Sequence, residues 1–382
     1  MSLFQLGFRP FYSLAAIFAI AAMILWLRVF AGLSGTGDYL YGVVWHSHEM
    51  LFGFATAVIA GFLLTAVRNW TGLPTPTGVL LAMLAALWLV ARVLIINGPA
   101  PVAAIIDLLF LPALAIAVAV PVLRSRNKRN YKVLAIVLAL ALSHGVFHLA
   151  SLGYADVWLA RTSIFVGIDI VIILMAIVGG RVIPAFTRNA IPGVQSRHEP
   201  WVETITFVSM ILVVVVSVFR GSWAQPPMFM AVLLIIAAAS HATRLVLWEP
   251  VKTIHNPLLW MMPAAYSWIP LAFLLRSLAA MNIVPASAWI HAVTMGAVSG
   301  LMLAMMMRSS LGHTGRKLVA SRSDMAAFLL LQLAAIVRVV ASIVAGAAYQ
   351  QWVIASGLIW VLAFLVFVTR YLPMLSRPRV QD

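Results

Sequence analysis

Apolar runs of about twenty residues follow one another along the chain, each closed by Pro, Gly, Asn or charge, as helix ends are. Twelve can be drawn, at about 11–32, 43–67, 77–96, 101–123, 131–152, 160–180, 203–220, 226–248, 257–278, 285–308, 323–346 and 350–372. Each is near the ~20 residues that cross the hydrocarbon as a helix. The pattern predicts an all-α polytopic membrane protein, a single transmembrane domain over residues 1–382 with twelve transmembrane helices. The first run, Phe11 to Phe30, is too long for a signal-peptide core and lacks a small-residue cleavage site, so it reads as a retained helix.

Polar positions interrupt this pattern in few places. The segment Trp45-His46-Ser47-His48-Glu49-Met50 opens one of the most apolar helices with two imidazoles. Ionisable groups inside a membrane are costly and usually serve function. By depth, His46 and His48 (helix 2), His144 and His148 (helix 5) and His291 (helix 10) share one outer layer with Arg92, Asp107, Arg161, Asp169 and, slightly deeper, Arg338. His241 falls toward the opposite side, and His198, His255 and His313 fall in or beside loops.

Helices 2 and 10 match without a gap at an offset of 243 residues. His48 falls on His291, Gly53 on Gly296 and Thr71 on Thr314. Arg92 pairs with Arg338 after a further three-residue shift. With helix 6 set between, the spacing suggests three pseudo-repeats of four helices.

Composition narrows the class. The chain is 64% hydrophobic and 9% charged, more apolar surface than a soluble domain can hide. It has no cysteine, which excludes disulfides, thiolate-bound clusters and covalent C-x-x-C-H haem attachment. Any metal must be held by His, Met, carboxylate or Tyr. The net charge of +15 lies in short loops between apolar spans, so it reads as membrane topology rather than nucleic-acid binding. Most Lys and Arg fall on one side, including the run Arg124, Arg126, Lys128, Arg129 and Lys132; Arg28, Arg161, Arg220 and Arg276 fall on the other. This asymmetry predicts that both termini are cytoplasmic.

Helix geometry limits how the outer histidines can be used. His46 and His48 lie about 200° apart around a regular helix, so they suit two different centres. His144 and His148 are four apart, share a face and can chelate one ion. Neutral imidazole suits haem iron and copper. His48 and His291, at equal depth, are placed as axial ligands of a haem between helices 2 and 10. His46 would join His144 and His148 at a second centre, haem or copper. Arg92 and Arg338 have two readings: pairing with Asp107 or Asp169, or neutralising haem propionates. Asp107, Asp169 and Glu49 are the proton-relay candidates.

Several motifs together resemble one family. They are Gly7-Phe8-Arg9-Pro10-Phe11, Trp45 to Gly53, Asn69-Trp70-Thr71-Gly72, Gly180-Arg181-Val182-Ile183-Pro184-Ala185-Phe186-Thr187, and Leu311-Gly312-His313-Thr314-Gly315-Arg316. The combination resembles the NnrS family and covers essentially the whole chain. The resemblance implies a bacterial inner-membrane protein containing haem and copper, linked to nitric oxide metabolism and nitrosative stress. With no cysteine the haem would be non-covalent and b-type, and an outer-layer site would receive electrons from a periplasmic donor. The resemblance supplies no ligand map. It also draws attention to His313, as a residue ordering the end of helix 10. The layout is similar, in architecture only, to the catalytic subunit of haem-copper oxidases, where H-x-H lies on the tenth helix rather than the second. Three function classes fit: an NO-reducing or NO-detoxifying redox enzyme, a twelve-helix transporter or metal permease, and a non-catalytic NO-binding haem sensor.

Overall fold

A computed structural model describes residues 2–219 and 227–380. All regular structure in these residues is helical, with no strand among them. Twelve helices are long and apolar enough to cross a membrane: α1 (Phe8–Phe30), α2 (Gly42–Thr71), α3 (Gly78–Asn97), α4 (Ala100–Arg124), α5 (Lys128–Ser151), α6 (Val157–Ala190), α7 (Pro200–Phe219), α8 (Pro227–Leu247), α9 (Pro257–Ala280), α10 (Ala286–His313), α11 (Arg322–Val344) and α12 (Gly346–Ser376). These are the twelve expected from hydropathy. Arg220, assigned above to the minority side of the charge distribution, lies outside the described residues.

Boundaries differ most at α6. The Gly179-Gly180 pair reads as a helix exit, yet the helix runs on through Pro184 to Ala190. The reason is packing. A Cβ on Gly180 would overlap the guanidinium of Arg244 from α8, so the glycine admits a neighbour rather than ending the helix.

The chain divides into two compact units. The first contains residues 1–170, 309–316 and 367–382. Within it α2 packs on α1, α3 and α4, and α5 packs on α4. Arg9 of the Gly-Phe-Arg-Pro-Phe motif is buried and donates to Leu375 O at 2.9 Å and to Arg377 O, closing the carbonyl end of α12 as basic groups favourably do. His313 lies against the ring of Phe8 with centroids 5.5 Å apart. The second unit contains residues 171–308 and 317–366. There α8 packs on α7 and α9, and α10 packs on α9 and α11.

The helices that carry the paired motifs are also among the most enclosed. In α2 and α10, 83% and 78% of the apolar window is buried, against 39% in α1 and α3. Each contains a π-helical stretch, Glu49–Ala55 in α2 and Ala292–Ser299 in α10. The two stretches begin 243 residues apart, the offset that carries His48 onto His291. Such stretches widen one turn of a helix and are frequent at functional sites.

Candidate metal centre

The first π-helical stretch begins immediately after His48, and four buried side chains converge at that point. They are His48 from α2, Asp107 from α4, and His144 and His148 from α5. Their donor atoms all lie within 4.8 Å of one another. His144 Nε2 is 3.1 Å from His48 Nε2 and 2.9 Å from His148 Nε2. Asp107 Oδ2 is 3.1 Å from His48 Nε2 and 3.4 Å from both His144 Nε2 and His148 Nε2. A tetrahedral ion with bonds of about 2.0–2.1 Å places its donors about 3.3 Å apart. The spacing therefore matches one small four-coordinate ion.

Protons make the same point. Glu49 Oε1 lies 2.9 Å from His48 Nδ1, and a carboxylate in an ion pair can only accept. A His48 proton therefore sits on Nδ1, and Nε2 is the nitrogen that would be given to an ion in the cluster. This is the carboxylate–imidazole–metal order seen around bound metals. Tyr39 Oη, in the loop before α2, lies 2.7 Å from His148 Nδ1. Burial, and then the nearby charge of Asp107, push the Tyr39 phenol above its ordinary range, so it stays protonated. Its hydroxyl can donate to Nδ1, or turn and accept from Nδ1–H when Nε2 is given to a metal. His144 Nδ1 is buried with no hydrogen-bond partner among the described residues, and Asp107 Oδ2 faces only imidazole nitrogens. A buried carboxylate oxygen ringed by three imidazoles fits a cation at the convergence point.

Arg92 of α3 completes the surround. Its Nη1 donates to Glu49 Oε1 at 2.6 Å and its Nη2 to Asp107 Oδ1. Of the two readings of this arginine, pairing with Asp107 is the observed one, and Glu49 shares it. Trp88 Nε1 donates to Gly53 O at 3.1 Å. A Cβ on Gly53 would come within 2.8 Å of Phe18 and 3.1 Å of Arg92 Nη1. Gly53 is thus the cost of bringing the guanidinium close to α2.

The histidine grouping differs from the sequence expectation. His48, rather than His46, meets His144 and His148. His46 instead stacks on Trp26 of α1, with centroids 4.4 Å apart. The roughly 200° separation of the two imidazoles explains why only one turns inward. Both ring nitrogens of His48 have partners in this cluster, Nδ1 at Glu49 and Nε2 at His144. His291 belongs to the second unit, where its Nδ1 lies 2.8 Å from Ser287 O. Arg338 is also there, donating to Ser342 Oγ at 2.6 Å and to Tyr349 Oη at 3.0 Å. Asp169 is buried in α6 and is not among the four donors. Asp107, a proton-relay candidate in the sequence, is one of the four side chains that converge here. Tyr39 carries no signal in the sequence, since its role depends on a loop folding back onto α5.

The second unit has its own buried polar chain. Arg244 forks onto Glu203 through Nε at 2.6 Å and Nη2 at 2.8 Å, and its Nη1 donates to Tyr266 Oη at 2.9 Å. Tyr266 Oη lies 2.7 Å from His241 Nδ1. Because arginine only donates, the phenol proton points to His241. This arrangement links three buried groups in series and leaves His241 Nε2 without a hydrogen-bond partner among the described residues.

Comparison with known families adds one finding. The family model described as NnrS protein matches residues 2–379, and the chain belongs to that family. No curated protein matches the chain.

Proposed function

We propose that this member of the NnrS family is a membrane metalloprotein that handles nitric oxide, with copper held by His48, His144, His148 and Asp107. The convergence of three imidazole nitrogens and one carboxylate oxygen at tetrahedral spacing, all buried, carries the reading. Imidazole-rich donor sets suit copper, zinc or iron; the family resemblance favours copper and adds a haem. Bound copper and haem would supply sites for a diatomic ligand and electrons for its reduction, two electrons and two protons for each pair of NO molecules.

The chain's own residues set the conditions at the site. Glu49 fixes the His48 tautomer, and Tyr39 accommodates that of His148. Arg92 anchors Asp107 through Oδ1, so Oδ2 is the donor that can yield to an incoming ligand without moving a helix. Burial keeps bulk water out, while NO, small and uncharged, reaches the site through lipid. The distribution of Lys and Arg supports cytoplasmic termini in the bacterial inner membrane, with the centre in the periplasmic half.

Metal and haem analysis of the purified protein tests this, together with its optical spectrum and anaerobic NO consumption under reductant. The expected result is copper and a Soret band in the wild type, with copper lost in His144→Ala. Absence of both metals, with no difference between the two proteins, overturns the reading. Metal binding without NO turnover would leave binding or sensing as the function.

A further inference from the structure

We infer that the charge built around the four-donor centre selects a monovalent d¹⁰ ion, Cu(I), over divalent ions. The inference rests on the metal-centre reading above and goes beyond it, since the donor set alone accepts either class. Two observations carry it.

The first is geometric. Five of the six separations among the four donors are 2.9–3.4 Å, so at most one is long, whereas a square plane has two long diagonals. Cu(II) prefers square-planar or tetragonal fields, whereas the filled shell of Cu(I) or Zn(II) has no such preference.

The second is electrostatic and separates those two. Asp107 is one of the donors, and the charged groups in contact with the donors are Glu49 and Arg92. Glu49 bonds His48, and Arg92 bonds both carboxylates. All are buried, with side-chain exposures of 0–3%. Two carboxylates and one guanidinium, with three neutral imidazoles, give a cage of net charge −1. A monovalent ion brings it to zero. A divalent ion leaves +1 in a region with no solvent to screen it, and uncompensated buried charge is costly. Arg92 thus has a role beyond structure: without it the same donors would form a −2 cage matched to Zn(II).

The size of the effect follows from Coulomb's law. Changing the cage by one unit at about 5 Å and an effective dielectric near 20 alters the preference between +1 and +2 ions by roughly a hundredfold. Solvent and lattice relaxation make about tenfold the smallest shift the proposal accepts.

The experiment uses full-length protein in detergent, stripped by chelator and held anaerobic at one pH. It is titrated with Cu(I) against bicinchoninate and with Zn(II) against a chromophoric chelator. The quantity read is the ratio of Cu(I) to Zn(II) affinity within each variant, so a general loss of folding cancels. Glu49→Gln, with a neutral cage, is expected to raise the ratio at least tenfold. Arg92→Gln, with a −2 cage, is expected to lower it by a similar factor. Where the wild type binds both ions but the ratio stays flat, or moves the same way in both variants, charge selection is wrong and the centre stands. Where the wild type binds neither ion, and His144→Ala behaves identically, the metal-centre reading falls and takes this inference with it.

Discussion

His144 Nε2 lies between two other imidazole nitrogens, at 3.1 and 2.9 Å. Replacing it with Ala removes the donor that both contacts share. The expected outcome is loss of bound metal with unchanged helix content by circular dichroism. Tyr39→Phe removes only a hydroxyl 2.7 Å from His148 Nδ1. Outer partners of this kind typically carry a 10–100-fold effect on affinity, so metal binding should weaken by roughly that factor and remain measurable. Arg92→Met should lower the melting temperature sharply, because it leaves Glu49 and Asp107 buried without a counter-charge, a defect worth about 3–5 kcal/mol. At this scale the sequence was half legible. The four-residue spacing of His144 and His148 shows a shared face. The choice of His48 over His46 does not follow from spacing, because it depends on how α2 is rotated against its neighbours. Asp107 stands out in sequence as an intramembrane carboxylate, but its place among the donors, like the role of Tyr39, shows only through contacts distant in sequence.

Two glycines show the same limit at the level of helices. Gly53 and Gly180 both read as generic small residues, one for packing and one for an exit. Each instead makes room for a buried guanidinium, Arg92 and Arg244 respectively. Gly53→Ala should displace Arg92 and weaken metal binding. Gly180→Ala should disturb the Arg244 fork onto Glu203 and lower thermal stability by about 1–3 kcal/mol while leaving metal content unchanged. A result in which both variants lose metal would contradict the assignment of Arg92 to the centre and Arg244 to a separate polar chain. The π-helical stretches have no sequence signature of their own. They begin 243 residues apart, the offset that carries His48 onto His291 in the sequence. Helix number was readily legible, because hydropathy over about twenty residues is a local property.

Across the whole molecule, the twelve spans follow from composition, whereas the grouping into two compact units rests on non-local packing that hydropathy does not encode. Orientation rests on charge, and the absence of native cysteine makes it simple to check. A single cysteine at Lys128 should react with an impermeant thiol reagent only from the cytoplasmic side, and one at Tyr154 only from the opposite side. Reversed labelling would move the metal centre to the other half of the bilayer and leave its ligands unchanged. The most direct test of the centre is X-ray absorption at the copper edge of the purified protein, compared with His144→Ala. The account predicts low-Z nitrogen and oxygen neighbours at about 2.0 Å with imidazole outer-shell scattering, absent from the variant. A sulfur shell from methionine, or an identical spectrum in the variant, would contradict it.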